Sequence, residues 1–233
     1  SLHAYNSSAN RGACQQNCRQ SYTVQSNDDG TTMEIENEYI MSPKDLCTLN
    51  FLDELLKSGV KVLKIEGRGR SPEYVKTVTR CYKEAAYAVS NGTFTRERVD
   101  LWMAELEKVY NRGFWDGYYL GRKLGEWSNV YGSASSYQKT FVGVVLHYYP
   151  KAEVAHIRIK TKELRMGDKI LVIGDTTGVV ESVIDSVYVN DIPAGEAQQG
   201  QECTITISGK VREGDKVYLW EERPDKLKQQ FVS

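Results

Sequence analysis

“VKVLKIEGRGRSPEYVKTVTRCY” (Val60–Tyr82) joins a strand signal to a helix signal, and this junction decides the fold of the first half of the chain. Its opening “VKVLKI” is mostly aliphatic and β-branched, which predicts a strand. Ser-Pro-Glu at 71–73 predicts a helix start, because serine caps a helix, proline suits its first turn and an acid favours the positive end of its dipole. We expect this helix to run to about Val89.

The same design occurs once earlier in the chain. “EYIM” (38–41) predicts a short strand, and Ser42, Pro43 and Asp45 predict the start of a helix that Gly59 ends. Strand, helix, strand and helix with short joints predict right-handed parallel units, as in a barrel or a doubly wound sheet. Two such units cannot close a barrel, so we expect the α/β part to be the end of a larger domain.

A third helix is predicted from Thr95 to Tyr110, and the composition changes after it. The stretch Arg112–Trp127 mixes glycine, aromatic and basic residues. Such a stretch suits either the stacking of RNA bases or a buried clamp between two domains. Residues 128–138 are small and polar, which predicts a linker.

Beyond the linker the apolar residues recur with a period of two, which predicts β-strands. The six candidate strands are Phe141–His147, Val154–Ile159, Ile170–Ile173, Val179–Val189, Cys203–Ile207 and Val217–Trp220. “LRMGDKILV” (Leu164–Val172) and “VREGDKVYL” (Val211–Leu219) repeat one pattern around Gly-Asp-Lys. Gly167 and Gly214 suit tight turns in which the following aspartate bonds nearby backbone. Repeated turns of this kind predict a small, closed, six-stranded β-barrel.

Composition and charge limit the class of protein. The 233 residues are 40% hydrophobic and 26% charged, with a formal net charge of −1, which is ordinary for a globular protein. This charge excludes a global electrostatic attraction to RNA or to an anionic membrane. No apolar run reaches the length of a membrane helix and no signal peptide opens the chain. We therefore expect a cytoplasmic location and no membrane partner.

The five cysteines have no spacing typical of a disulfide framework, which favours a reducing compartment. Cys81 and Cys203 continue apolar patterns, so both are predicted to be core residues. Cys14, Cys18 and Cys47 lie in polar or loop-like sequence. They suit either an incomplete metal site, since four ligands are usual, or ordinary thiols. Cys47 is expected at a helix start, where the dipole lowers the pKa of a thiol.

Lys64, Glu66, Arg68 and Arg70 lie at the carboxyl end of the predicted strand and in the loop after it. Ligands bind at that end of the strands in parallel α/β folds. Arginines there suit a carboxylate or a phosphate, and the alternative is a solvated, salt-bridged loop. No zinc-peptidase or serine-nucleophile motif accompanies the histidines of the chain.

Four stretches together resemble the U32 family of collagenase-like peptidases. They are “SLHAYNSSANRGACQQNCR” (1–19), “YIMSPKDLC” (39–47), “GVKVLKIEGRGRSPEYVKTVTRCY” (59–82) and “NRGFWDGYYLG” (111–121). The resemblance implies the terminal units of a TIM-like α/β barrel at 1–127 and the linker at 128–138. It also implies a β-barrel domain at 139–222, similar to the second domain of translation elongation factors, and a tail at 223–233.

The resemblance also implies a cofactor. Several family members hold an iron–sulfur cluster on four cysteines, and the positions of Cys14 and Cys47 match ligand sites. Cys18 matches a cysteine that is common in the family. Because this chain offers three thiolates at most, we expect the 4Fe–4S cluster in the intact parent protein and no stably held cluster in this portion alone.

Three functions remain open. The leading hypothesis is iron–sulfur-dependent hydroxylation of RNA, such as a tRNA uridine, with Lys64, Glu66, Arg68 and Arg70 as the catalytic residues. The family name gives the second, a peptidase of unknown catalytic type acting on a peptide substrate. The third is a non-enzymatic module that binds RNA or another partner. Under either enzyme hypothesis we expect this portion alone to be inactive.

Overall fold

The described residues pack around two separate hydrophobic cores. The computed structural model describes residues 6, 17, 22–33, 43–121, 128 and 132–224. One core lies among residues 47–109, and the other lies within the strands between residues 142 and 219. A short antiparallel hairpin precedes both and pairs β1 (Val24–Gln25) with β2 (Thr32–Met33). The chain is therefore organised as a helical part followed by a β part.

Three α-helices build the first core: α1 (Leu52–Lys57), α2 (Pro72–Ser90) and α3 (Arg96–Lys108). A 3-10 turn at Leu49–Phe51 leads into α1. Ser71 is extended and precedes α2, with Pro72 in the first turn. The Oγ1 atom of Thr95 accepts the backbone N–H of Arg98 at 3.4 Å and caps α3. Both helices start where the sequence predicts, and Thr95 makes the expected cap hydrogen bond, but the side chain of Ser71 makes none.

The face of α2 that packs inward is small and apolar. Val78, Cys81, Ala85 and Ala88 are buried at helical spacing, which lets α3 approach closely. Trp102 of α3 is buried against this face. Its indole N–H donates to the Oε2 atom of Glu84 at 2.8 Å, so the polar edge of the ring is satisfied. Cys81 is the core residue that the periodicity predicts.

The segment before α1 corrects one prediction. Asp45–Leu46 forms β3, which pairs in parallel with β4 (Phe114–Trp115), so α1 begins only at Leu52. The backbone N–H of Asp45 donates to the carbonyl oxygen of Gly113 at 2.8 Å. Asp45 therefore pairs with a strand that is distant in sequence, and the helix that the local sequence predicts does not begin there. The parallel pair agrees with the α/β prediction, and the TIM-like barrel stays a prediction.

The predicted strand at “VKVLKI” is wrong. Residues 60–66 have no strand assignment among the described residues, although Leu63 and Ile65 pack against the first core. The preceding strand predicted at 38–41 lies outside the described residues. The aliphatic residues Leu63 and Ile65 are packed against the core without a ladder of backbone hydrogen bonds in residues 60–66.

The second core lies within an antiparallel sheet. The remaining strands are β5 (Tyr137–Tyr149), β6 (Val154–Ile159), β7 (Leu164–Arg165), β8 (Lys169–Gly174), β9 (Gly178–Val183), β10 (Val187–Val189), β11 (Ile192–Ala194), β12 (Glu196–Ala197), β13 (Glu202–Thr206) and β14 (Lys216–Glu222). Eight of them form one sheet in the order β11-β10-β13-β6-β5-β14-β8-β9, and β7 pairs with β12. Cys203 of β13 is buried in this core, as predicted.

The sheet has more strands than the six candidates. The run Val179–Val189 divides into β9 and β10, and β10 turns back into β11 through Asn190 and Asp191. Both turn residues have positive φ, +51° and +62°, as a two-residue hairpin of the primed type requires. The division falls at Asp185 and Ser186, the polar pair within this run. The sheet is therefore eight-stranded, and closure into the predicted six-stranded barrel is not confirmed.

The two parts of the chain contact each other through buried and charged side chains. Trp220 of β14 packs partly buried against the helical core. The Nζ atom of Lys139 donates to the Oε2 atom of Glu73 at 3.0 Å, and Glu73 is buried. Ser136, within the predicted linker, donates its backbone N–H to the carbonyl oxygen of Glu107 at 2.8 Å. This part of the predicted linker is packed, and β5 begins within it.

Among the described residues, no helix is both long and apolar enough to cross a membrane.

Candidate functional site

Asp45 is the centre of a charged cluster at β3. Three donors of Arg112 bind its carboxylate: the backbone N–H to Oδ2 at 2.9 Å, Nε to Oδ1 at 3.0 Å, and Nη2 to the same Oδ1. Such multiple charge-assisted bonds fix both distance and orientation. The pairing of β3 with β4 brings the two side chains together although 67 positions separate them.

Arg70 reaches the same carboxylate from the loop before α2. Its Nη2 atom lies 3.5 Å from Asp45 Oδ1, and its guanidinium lies 4.4 Å from the ring centroid of Tyr110 and 5.1 Å from that of Tyr74. Burial raises the pKa of the Tyr74 hydroxyl, although the Arg70 charge opposes this shift. Two aromatic faces therefore hold a cation in place. Asp45, Arg70 and Arg112 together carry one excess positive charge.

The other three predicted site residues occupy the loop before Arg70. Lys64, Glu66 and Arg68 are exposed, and only Arg70 of the predicted four joins the Asp45 cluster. The Oε1 atom of Glu66 accepts the backbone N–H of Arg68 at 2.7 Å. The backbone N–H of Arg70 donates to the carbonyl oxygen of Gly67 at 3.0 Å. The loop is thus a hydrogen-bonded turn, and the catalytic roles of these residues stay predictions.

Cys47 lies two residues after Asp45 and packs inward. Its backbone N–H donates to the carbonyl oxygen of Trp115 at 2.9 Å, and its Sγ atom contacts the Tyr82 hydroxyl at 3.7 Å and Met103 Sδ at 3.8 Å. Burial raises the pKa of the Cys47 thiol. The sequence predicted the opposite shift, because it placed a helix N-terminus here and the structure places the end of a strand.

The described residues do not by themselves make a metal site. No group of three His, Cys, Asp or Glu side chains within the described ranges is arranged to hold a metal ion. Cys47 contacts a phenol and a thioether, and its thiol would have to release its proton to solvent or a base before the sulfur could bind a metal. Cys14 and Cys18 lie outside the described residues. The cluster and its ligand set stay predictions.

An exposed aromatic surface adjoins the charged cluster. Leu46, Trp115, Tyr118 and Tyr119 line an open cavity of about 440 Å³ together with Gly117. Trp115 packs edge-on against Tyr118, with ring centroids 5.3 Å apart. Tyr118 and Tyr119 are both more than half exposed. The described portion of Arg112–Trp127 is therefore a short strand followed by exposed rings, which argues against a buried clamp.

Sequence reasoning missed four members of the charged cluster. The sequence predicts that Asp45 starts a helix, and it predicts no helix or strand for the stretch that contains Arg112. Tyr74 and Tyr110 were counted only as helix residues. The available signal was the pair “SPKDLC” and “NRGFWDG”, each carrying a charged residue beside a short apolar run. Only pairing of those runs in a parallel sheet would have brought Asp45 and Arg112 together.

Comparison with known proteins places the chain in a family. The model of Peptidase family U32 matches residues 1–129, which is more than half of the chain. The chain belongs to this family, and the resemblance inferred from the four sequence stretches is confirmed.

Curated relatives extend the match into the β part. A protein named collagenase from Porphyromonas gingivalis is 48% identical over 97% of this chain and 54% of its own length. A protein named tRNA hydroxylation protein P1 from Bacillus subtilis is 28% identical over 78% of this chain and 44% of its own length. The chain spans about half the length of these relatives. The C-terminal domain of a U32 peptidase from Geobacillus thermoleovorans aligns with 34% of this chain and 90% of that domain, at 20% identity and a TM-score of 0.33.

Proposed function

We propose that this chain is the C-terminal portion of an iron–sulfur-dependent RNA hydroxylation protein, with a uridine of tRNA as its substrate. The chain would supply the last units of a TIM-like barrel and the β domain that follows them. A relative named for tRNA hydroxylation that aligns with 78% of the chain supports this proposal. The relative named collagenase has the higher identity, so the choice depends on the chemistry of the described side chains.

The state of the described thiols counts against one form of the peptidase alternative, a cysteine peptidase that uses one of them. Cys47, Cys81 and Cys203 are buried, and burial raises the pKa of each; the pKa of Cys81 and of Cys203 rises to about 11. A cysteine peptidase needs an accessible thiolate of lowered pKa. These three thiols are unsuited to that role. A buried thiol that a metal deprotonates is compatible with the proposed ligand role of Cys47.

The charged cluster supports an anionic substrate group. Arg70 and Arg112 share one carboxylate, and Lys64 and Arg68 are exposed on the adjoining loop. We propose that Lys64 and Arg68 bind a phosphate or carboxylate, while Arg70 and Asp45 keep the loop in position. Glu66 holds the turn through the backbone of Arg68.

A cluster held by Cys14, Cys18 and Cys47, with a fourth ligand from the rest of the parent protein, completes the proposal. When bound, it supplies one-electron chemistry to the site. Cys14 and Cys18 lie outside the described residues. The proposed set of ligands therefore concerns the parent protein and not the described part alone.

The test uses the intact parent protein in its own host. The gene is deleted and replaced with wild type, Cys47→Ala, Lys64→Met or the matched control Cys81→Ala. Total tRNA is digested and its nucleosides are separated by mass spectrometry. We expect deletion, Cys47→Ala and Lys64→Met to lower one hydroxylated uridine, and Cys81→Ala to retain it. An unchanged nucleoside profile in the deletion strain would overturn the proposal.

A peptidase is the second candidate, and the 48% identity to a protein named collagenase is the observation that favours it. Purified parent protein is incubated with gelatin and with a mixture of peptides. Cleavage that persists when Cys14, Cys18 and Cys47 are all replaced with alanine would favour a peptidase that needs no cluster. Loss of cleavage together with an unchanged RNA profile would indicate a thiol-dependent peptidase instead.

A further inference from the structure

A row of polar and ring side chains crosses the outward face of the sheet, away from the Asp45 cluster. Tyr188 of β10 pairs with Thr204 of β13, Thr204 pairs with His156 of β6, and His156 pairs with His147 of β5. Direct cross-strand partners point to the same face. Their chain neighbours Val187, Ile205 and Ile157 are buried in the core, so the row faces solvent. We call this row the ring face.

A cavity of about 250 Å³ opens on the ring face. Tyr149, His156 and Tyr188 supply its ring walls, and Asn190, Asp191 and Thr204 supply polar groups. The Tyr149 ring packs edge-on against His147, with centroids 4.5 Å apart. Tyr149 and Tyr188 are each at least 40% exposed. The cavity therefore combines flat, accessible aromatic surface with hydrogen-bonding groups.

Glu202 fixes one wall of the cavity. Its Oε1 atom accepts Nε and Nη2 of Arg158 at 3.0 and 2.7 Å, and its Oε2 atom lies 3.0 Å from His156 Nε2. The hydrogen bonds from Arg158 lower the pKa of Glu202. The imidazole is consequently held in one orientation, and a guanidinium stands at the rim of the cavity.

The opposite side offers acceptors that are not otherwise used. Asn190 and Asp191 form the turn between β10 and β11, and within the described part of the chain their side chains make no hydrogen bond or ion pair. A carboxylate accepts hydrogen bonds and donates none at neutral pH. The cavity is thus complementary to a flat group whose edge carries N–H donors.

We propose that this cavity binds one unpaired RNA base that carries an exocyclic amino group, which adenine, cytosine and guanine have and uracil lacks; the binding test uses adenine and cytosine. The base stacks on Tyr188, its amino group donates to Asp191, and Arg158 stands on the phosphate side. Aromatic side chains on an exposed sheet face bind single-stranded RNA by such stacking. Uracil presents a carbonyl oxygen where adenine and cytosine present an amino group, so Asp191 disfavours it. The site lies on the β part and does not depend on the hydroxylation proposed above.

Binding is measured with the 233-residue chain and fluorescein-labelled oligo(A), oligo(C) and oligo(U) of equal length, by fluorescence anisotropy at one salt concentration. We expect oligo(A) and oligo(C) to bind about tenfold more tightly than oligo(U), and Tyr188→Ala to weaken both by about tenfold. Asp191→Asn should narrow the difference between oligo(C) and oligo(U). Tyr87→Ala, which removes an exposed tyrosine of α2, is the matched control and should change nothing.

A second readout does not depend on the folding of a variant. Titration of the wild-type chain with oligo(C), followed by amide NMR shifts, should perturb residues around Tyr188, Asp191 and Thr204 while the helical part stays unchanged. Absence of binding to every oligonucleotide, equal binding by Tyr188→Ala, or shifts confined to the helical part would overturn the proposal. The proposal would also be overturned if a tryptophan-containing peptide shifted the amide signals of these residues and RNA shifted none of them. Because no hydroxylated nucleoside is scored, failure here is distinguishable from failure of the proposed function.

Discussion

Asp168 and Asp215 make the same hydrogen bond in two turns of the same construction. Each carboxylate accepts the backbone N–H of the arginine three residues earlier, Arg165 or Arg212, at 2.8 Å. The glycine before each aspartate has a φ of +86° or +84°, which only glycine adopts at little cost. The sequence repeat around Gly-Asp-Lys predicted this bond, and the structure confirms it.

The two aspartates differ in burial, and this difference predicts unequal costs of removal. Asp215 is buried and also accepts the Thr177 hydroxyl at 2.6 Å, whereas Asp168 is half-buried. Asp215→Ala leaves the half-buried Thr177 hydroxyl and the backbone N–H of Arg212 without their acceptor. We expect it to lower the free energy of unfolding by about 3 kcal/mol, against about 1 kcal/mol for Asp168→Ala. Urea denaturation of both variants measures the difference, and equal costs would contradict the argument.

Gly174 faces the same buried carboxylate and should not tolerate a side chain. A Cβ atom at this position would stand 1.8 Å from the Oδ1 atom of Asp215. We expect Gly174→Ala to lower the free energy of unfolding by about 2 kcal/mol, because a well-packed turn must move. Gly195→Ala is the matched control, since nothing lies within 4 Å of its Cβ and its φ is not positive. Thermal unfolding of both variants tests the prediction, and similar melting temperatures would contradict it.

The Asp45 cluster should contribute more to stability than a surface ion pair. Asp45→Asn removes the carboxylate that Arg112 and Arg70 share, in a site where the three side chains are only about one-fifth exposed. We expect the free energy of unfolding to fall by about 2 kcal/mol. This is less than the cost of breaking a fully buried ion pair, because these side chains keep some contact with solvent. Asp53→Asn, which breaks the exposed pair with Lys57, should cost less than about 0.5 kcal/mol.

A double-mutant cycle separates the pair itself from the cost of an unpaired charge. Arg112→Met is combined with Asp45→Asn, and urea denaturation gives the coupling energy of the two side chains. We expect the double variant to be less destabilised than the sum of the single variants. Strict additivity would show that Asp45 and Arg112 act independently.

Local signals were sufficient where no distant partner competes with them. The Ser71-Pro72 start of α2, the Thr95 cap of α3 and the strand Val154–Ile159 follow the sequence prediction closely. Each of these elements follows a Ser-Pro start, a capping threonine or an alternating pattern, and each such signal can be read within one short window of sequence. The same holds for the two Gly-Asp-Lys turns.

Predictions failed where a residue distant in sequence decides the local structure. The sequence around Asp45 is typical of a helix start, but hydrogen bonds with Arg112 and Gly113 hold Asp45 in a parallel strand pair. Cys47 consequently has the opposite pKa shift from the predicted one. The charged cluster combines a strand, a loop and the end of a helix, so no single window of sequence contains it. Of the predicted site, only Arg70 could be placed in that cluster.

The buried thiols predict a loss of stability at alkaline pH. The pKa of Cys203 rises to about 11, well above the usual value of a thiol, because burial penalises the thiolate. A folded-state pKa above the unfolded one means that the folded chain binds more protons between pH 9 and pH 11. The stabilisation is therefore complete below pH 9 and is lost as the pH rises through 11. Its size is about 2 kcal/mol for this thiol.

Cys203→Val isolates this contribution from the tyrosines and lysines that titrate in the same range. The free energy of unfolding of wild type and variant is measured by urea denaturation at pH 8, 9, 10 and 11 under reducing conditions. Because valine has no proton to lose, we expect the wild type to lose about 2 kcal/mol more than the variant across this window. Parallel curves would show that the Cys203 thiol ionises equally easily in the folded and unfolded chain, and that burial does not raise its pKa.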